Sequence, residues 1–305
     1  MATGSERIRG WRSALDRSRT LEESWEGRAT GARRRPRLHL LLGVTLVALV
    51  ALAALLAPWI ASYPPDALLP GARLLPPSAL HPLGTDAFGR DLLSRLLFGA
   101  QLALRLSLGA VAISAVPGIG LGLAAGYYRG WLDQLLSRLV DALLALPGSL
   151  LALLVIARTG PSLDGAILAL GLAGIPSYSR LARSGAISLS RLPYIEACRA
   201  LGAGGGRILL RHLLPNLLSS LIVLTSLRLG TLLLAGSGLS FIGLGAQPPQ
   251  PEWGVMLAEG RDYLDMAWWM FVFPGLAITL TVMGFNLLGD GLRDWTEVRS
   301  RSSIL

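Results

Sequence analysis

Six long apolar runs, set apart by polar or arginine-bearing segments, constrain this chain more than anything else in its sequence. They cover roughly residues 38–61, 101–127, 135–157, 163–178, 215–239 and 267–288. A bilayer core about 30 Å thick takes about 20 helical residues to cross. The runs therefore predict an all-α polytopic membrane protein with six transmembrane helices. The fourth run is short and carries Gly171, Gly174 and Pro176, so it reads as tilted or as broken into a re-entrant segment. No alternating pattern recurs often enough to suggest a barrel. Composition agrees: Asp, Glu, Lys and Arg make up only 15% of 305 residues. Ordinary soluble domains carry roughly 25%, and a chain with so few charges needs lipid around it.

Arginine sets the orientation. With a cytoplasmic N-terminus, the inner segments 1–37, 128–138, 180–212 and 290–305 hold 10, 2, 6 and 3 arginines. The outer segments 61–98, 158–164 and 241–268 hold 3, 1 and 1. Excess arginine marks the cytoplasmic side, so both termini are expected to be cytoplasmic. The net charge of +9 then reads as topology and attraction to anionic lipid, not as nucleic-acid binding. The layout predicted is a basic tail over 1–37, a first helix over 38–61, and an extracytoplasmic segment over 62–98. A core of five helices over 99–290, with a cytoplasmic loop at 180–214, and a cytoplasmic tail over 291–305 complete it. The tail and first run read as a retained anchor, because the apolar run exceeds the 7–15 residues of a signal peptide. Trp59, Trp131, Trp268, Trp269 and Trp295 flank the runs, where indoles favour the membrane interface.

Much chemistry is excluded. All 28 basic residues are arginine, which removes a P-loop lysine, a Schiff base and a lysine nucleophile. Cys198 is the only cysteine, and His39, His81 and His212 are scattered. No catalytic residue, metal site or cofactor is expected. Gly118, Gly122 and Gly126, after Pro117, fall on nearly one helical face. Such small residues admit a close backbone, either within the chain or from a partner subunit. Asp141, Arg105 and Arg228 lie in or near the runs; Arg105 is close enough to one end to snorkel.

The segment between the fourth and fifth runs is the most informative. It reads as a helix over 193–201 opened by Pro193, a glycine break over 202–206, and a second helix over 207–214 stopped before Pro215. Two short helices projecting from a bundle make a knob suited to docking a soluble partner.

Here the residues resemble a known pattern. Glu196-Ala197-Cys198, three residues, Gly202, nine residues, His212, one residue and Leu214-Pro215 resemble the EAA motif of ABC importer permeases. Four further stretches resemble the dipeptide, oligopeptide and nickel branch: His81 to Asp86 with Gly89-Arg90-Asp91; Leu239 to Gly245; Gln247 to Gly254 around Trp253; and Gly289 to Asp294. Together they span about 38–294. The chain departs from the branch pattern at Gly236, at Glu252 and at Trp295-Thr296-Glu297. The resemblance is to the second (C-type) permease, and it implies the type I permease fold in the inner membrane. It also implies a second (B-type) permease sharing the pathway, two cytoplasmic ATP-binding subunits and an extracytoplasmic solute-binding protein. The cargo implied is a peptide or a related solute such as nickel.

On that resemblance the coupling helix is Pro193–Leu201. Glu196 would pair with or cap the ATPase, Ala197 and Cys198 would let the helix seat deeply, and Leu214-Pro215 would fix its return to the membrane. Asp86, Arg90 and Asp91 suggest an internal ion-pair network shaping a short interfacial helix, or else a substrate contact. The segment 241–268, net −3 with Glu252, Glu259, Asp262 and Asp265, would steer a docking protein. The alternative is a channel or secondary transporter without ATP, for which repeats and mid-membrane ionisable groups are expected. A membrane enzyme would need a nucleophile and base within the spans.

Overall fold

The computed structural model describes residues 36–302, with side chains over 38–295; of the tail expected over 1–37, residues 1–35 lie outside the described residues. The described elements are helical: α1 (Pro36–Ile60), α2 (Leu92–Tyr128), α3 (Gly130–Leu144), α4 (Gly148–Thr159), α5 (Leu163–Leu189) and α6 (Pro193–Ala200). They continue with α7 (Gly205–Phe241), α8 (Trp253–Arg261) and α9 (Trp269–Ser302). Helices α1, α2, α7 and α9 are long and apolar enough to cross a membrane, and α3 with α4 makes a fifth if that bent pair counts as one.

The third apolar run is not one helix. It breaks at residues 145–147, and its halves meet at 84°. Pro147 holds an extended conformation (ψ 135°) at the N-cap of α4, and a proline pushes the residue before it out of the helical region. Little opposes the bend, since only Val140, Ala152 and Ile156 of the pair are buried. Of the tilt or break expected for the fourth run, the break does not occur: the helix is continuous through Pro176 and extends to Leu189. There Gly174, Ile175, Pro176, Tyr178 and Ser179 are all buried, so packing holds the helix where the proline removes a hydrogen bond.

That packing comes from α2. A Cβ on Gly118 would stand 2.7 Å from Tyr178 Cβ and 2.8 Å from the Ile175 carbonyl. A Cβ on Gly122 would collide with the Ser179 carbonyl, and one on Gly126 would lie 2.5 Å from that of Arg183. The glycine stripe is thus consumed within the chain, against α5, and offers no seam to another subunit. Two ion pairs flank the seam: Arg183 donates to both Asp133 oxygens at 2.6 and 2.7 Å, and Arg105 to Asp164 at 2.8 Å.

Helix α7 also differs from expectation. No stop precedes Pro215. A short turn of α-helix (Gly205–Ile208) runs into a π turn (Leu209–Leu213) and then into the α-helical stretch Leu214–Phe241. The Leu214 amide donates five residues back, to Leu209. Widening the turn there accommodates the proline, which has no amide to donate.

Candidate functional site

Two polar regions lie at opposite ends of the bundle. The first is the knob between α5 and α7. Helix α6 begins with Pro193 in its first turn and Leu192 as N-cap. It ends in a double reverse hydrogen bond: Gly202 N–H to Arg199 O at 2.9 Å and Ala203 N–H to Cys198 O at 3.0 Å. This 5→2 and 6→1 pair terminates a helix when the residue after its C-cap is left-handed. Gly202 has φ +80°, and a Cβ there would meet nothing within 4 Å. Backbone conformation alone, not space, demands glycine.

One side of α6 is anchored. Ile195 is fully buried with Ile208, Leu213, Leu217 and Tyr178. Tyr194 Oη accepts from Asn216 at 3.3 Å, Cys198 Sγ lies 3.9 Å from His212 Nε2, and the Arg199 guanidinium sits 4.9 Å over the Tyr127 ring. The other side is open. Glu196 and Ala197 are exposed, Cys198 is half-buried, and Leu192, Leu201 and Leu210 stand in solvent with Leu201 88% accessible. Leu214 is half-buried and Pro215 exposed at the root of α7. The expected residues therefore converge on one knob, though the knob is shorter than 180–214 because α5 takes its first ten residues. Ala182 and Ala186, both fully buried, draw that stretch into helix against Gly122 and Gly126. A cleft of about 520 Å³ beside α6 is lined by Tyr128, Arg129, Arg191, Glu196 and Arg199 among others.

The second region joins residues 61–98 to 247–262. Asp86 accepts from the amides of Phe88 (2.8 Å) and Arg90 (2.9 Å) and from Arg90 Nε (2.5 Å). Asp91 caps α2 by accepting from the Ser94 amide at 2.8 Å and lies 2.9 Å from His81 Nδ1. Arg90 and Arg95 both donate to Glu259, at 2.9 and 3.1 Å. Trp253 Nε1 donates to Leu96 O at 3.0 Å, and Trp269 Nε1 to Thr85 O at 3.1 Å. Asp86, Arg90, Asp91 and Trp253 are each at most 4% exposed. Arg90, Arg95 and Trp253 lock one segment to the other, Asp86 and Asp91 brace the turns of the first, and no interfacial helix forms over 61–91. Trp269, expected as an interfacial anchor, is buried in this lock.

Two members escaped the sequence reading: Arg95, four residues beyond Asp91 and so on the same helical face, and Glu259, whose partners lie more than 160 residues away. Steering charge shrinks accordingly. Glu259 faces inward. Glu252 is wholly buried, capping α8 through the Val255 amide at 3.0 Å and accepting from Ser237 Oγ at 2.8 Å. Burial pushes its carboxyl above the usual range.

Residues 118–302 match the family described as the binding-protein-dependent transport system inner membrane component. The chain is 43% identical to the dipeptide transport system permease protein DppC of Alkalihalophilus pseudofirmus, over 86% of each chain. It is 44% identical to the di/tripeptide transport system permease protein DppC of Pseudomonas aeruginosa, over 86% of this chain and 88% of that one. To the glutathione transport system permease protein GsiD of Escherichia coli it is 46% identical, over 86% and 87%. A chain of the MetNI methionine ABC transporter, solved facing inward, superimposes with a TM-score of 0.52. That match covers 66% of this chain and 95% of the other at 21% identity, a likeness of fold.

Proposed function

The chain belongs to the family of binding-protein-dependent transport system inner membrane components, and on that footing we propose that it forms half of the pathway of an ATP-driven peptide importer. It is a permease, an inner-membrane protein and not an enzyme. Energy comes from elsewhere, since the chain has no lysine for a P-loop. In this reading it pairs with a B-type permease, two cytoplasmic ATP-binding subunits and an extracytoplasmic binding protein. It crosses the membrane six times, the bent pair α3–α4 counting as one crossing, with both termini cytoplasmic. The arginine distribution supports that orientation.

The observation that carries the reading is the knob, which is rigid at its root and bare at its tip. Ile195 and the Gly202 cap fix its backbone, while Glu196, Ala197, Leu192 and Leu201 face outward. Seated in a cleft of a nucleotide-driven subunit, so stiff a helix passes displacement to α5 and α7. At the opposite end the lock among Asp86, Arg90, Asp91, Arg95 and Glu259 gives the binding protein a firm platform. Peptide is the cargo named for the DppC relatives. Proteoliposomes holding the complete importer should accumulate a labelled dipeptide only when ATP is enclosed. Equal accumulation without ATP would favour the channel or secondary transporter.

A further inference from the structure

Arg228 stands at the fifteenth position of the 28-residue stretch Leu214–Phe241. At 1.5 Å per residue it is about 20 Å from either end, too far for its side chain to snorkel to an interface. Arg105, Arg180 and Arg183 each have a carboxylate partner, Asp164, Asp141 and Asp133. Arg228 has none among the described residues; its guanidinium donates to Ser177 Oγ on α5. It lines a cavity of about 450 Å³ between α4, α5 and α7, where Ser149 and Thr231 are the other polar side chains and Gly148, Gly174 and Leu170 form part of the wall. Thr231 spends its hydroxyl on backbone carbonyls of its own helix.

A half-buried cation at this depth is costly unless an anion or water meets it. The cavity is large enough for a small organic solute, and one arginine beside glycines leaves an open coordination position. We infer that this cavity is a station on the translocation path where Arg228 receives the carboxylate of the passing peptide. A guanidinium binds a carboxylate through two parallel N–H donors, and a single arginine matches a singly charged group. The peptide's apolar side chains would lie on the apolar wall, which has few donors to hold them. Binding of this kind is firm enough to admit the solute and weak enough to release it. The inference rests on the reading of the chain as a peptide importer permease.

The test compares ATP-dependent uptake of a dipeptide and of its C-terminal amide by the reconstituted importer. The binding protein's own preference is the same for every permease variant, so it cancels from the change in acid-to-amide ratio. Arg228→Gln should slow the free acid about tenfold or more, the scale of one lost charge-assisted hydrogen-bonded pair. It should not slow the amide, a cation with no carboxylate for Arg228 to bind, and should leave stimulated ATP hydrolysis in place; Arg228→Lys should recover much of the loss of the free acid. An equal fall for acid and amide, or no fall for either, would overturn the site while leaving the importer reading intact. Absence of ATP-dependent peptide uptake by the wild-type assembly would overturn that reading, and the site with it.

Discussion

At Gly202 the spacing from Glu196 and the backbone geometry make the same demand. With φ +80° and open space around the missing Cβ, the residue must turn left-handed but need not be small. Valine is a conformational outlier there, and strain of this kind costs on the order of 1–3 kcal/mol. Asparagine visits this region readily. Gly202→Val should therefore abolish most ATP-driven uptake while the protein still reaches the membrane, and Gly202→Asn should keep a substantial part. Parallel uptake and membrane-yield assays on both variants decide it. Matching losses would mean that size at the tip matters, and wild-type uptake by the valine variant would remove the coupling argument. The lock at the other end was less legible. Asp86, Arg90 and Asp91 announce themselves by lying within six residues, whereas Glu259 is recognisable only once α8 has brought it beside Arg90 and Arg95.

Helix pairs show why the apolar runs predicted elements better than their ends. The α2–α5 seam is written in the sequence as Gly118, Gly122 and Gly126, but the sequence could not say which helix fills the groove. Ala182 and Ala186 do so, and by doing so they carry α5 eleven residues past its apolar run, to Leu189. Proline was similarly ambiguous. Pro176 is buried and tolerated, whereas Pro147 sits among the exposed Leu144, Leu146 and Leu150 and ends a helix. The difference lies in neighbours, which a local pattern does not contain. The seam itself can be probed with a matched pair. A Cβ at Gly122 strikes the Ser179 backbone, while one at Gly120 meets nothing within 4 Å. Gly122→Ala should lower stability in detergent by about 2 kcal/mol, within the usual cost of overpacking. Gly120→Ala should be neutral or stabilising, since alanine favours helix over glycine by about 1 kcal/mol. Thermal unfolding of the two variants checks the order, and equal midpoints would remove the seam.

For the whole molecule, orientation depends on how many times the chain crosses between its two polar ends. The bent pair leaves this open: α3 and α4 meet at 84° and pass as one span only together, while α5 has the length to cross but bears Arg180 and Arg183 near its end. The ion pairs favour two crossings. Arg105 and Asp164 pair near one end of the α2–α5 contact, and Asp133 and Arg183 pair near the other. Asp133 begins α3 and Asp164 begins α5, so α3 and α4 together carry the chain from one end to the other. Single cysteines introduced into a Cys198→Ser background make this measurable with a membrane-impermeant maleimide. Leu80→Cys and Pro161→Cys should react from the extracytoplasmic side, and Ala197→Cys only in inverted vesicles; all three positions are exposed. Were α3–α4 re-entrant, Pro161→Cys would label from the cytoplasmic side, where α2 delivers the chain. Were α5 to stay on one face, Pro161→Cys and Ala197→Cys would label together. Only the alternating pattern gives six crossings, and six crossings put the Gly202 knob on the arginine-rich side, within reach of a cytoplasmic ATPase, where five would put it on the other.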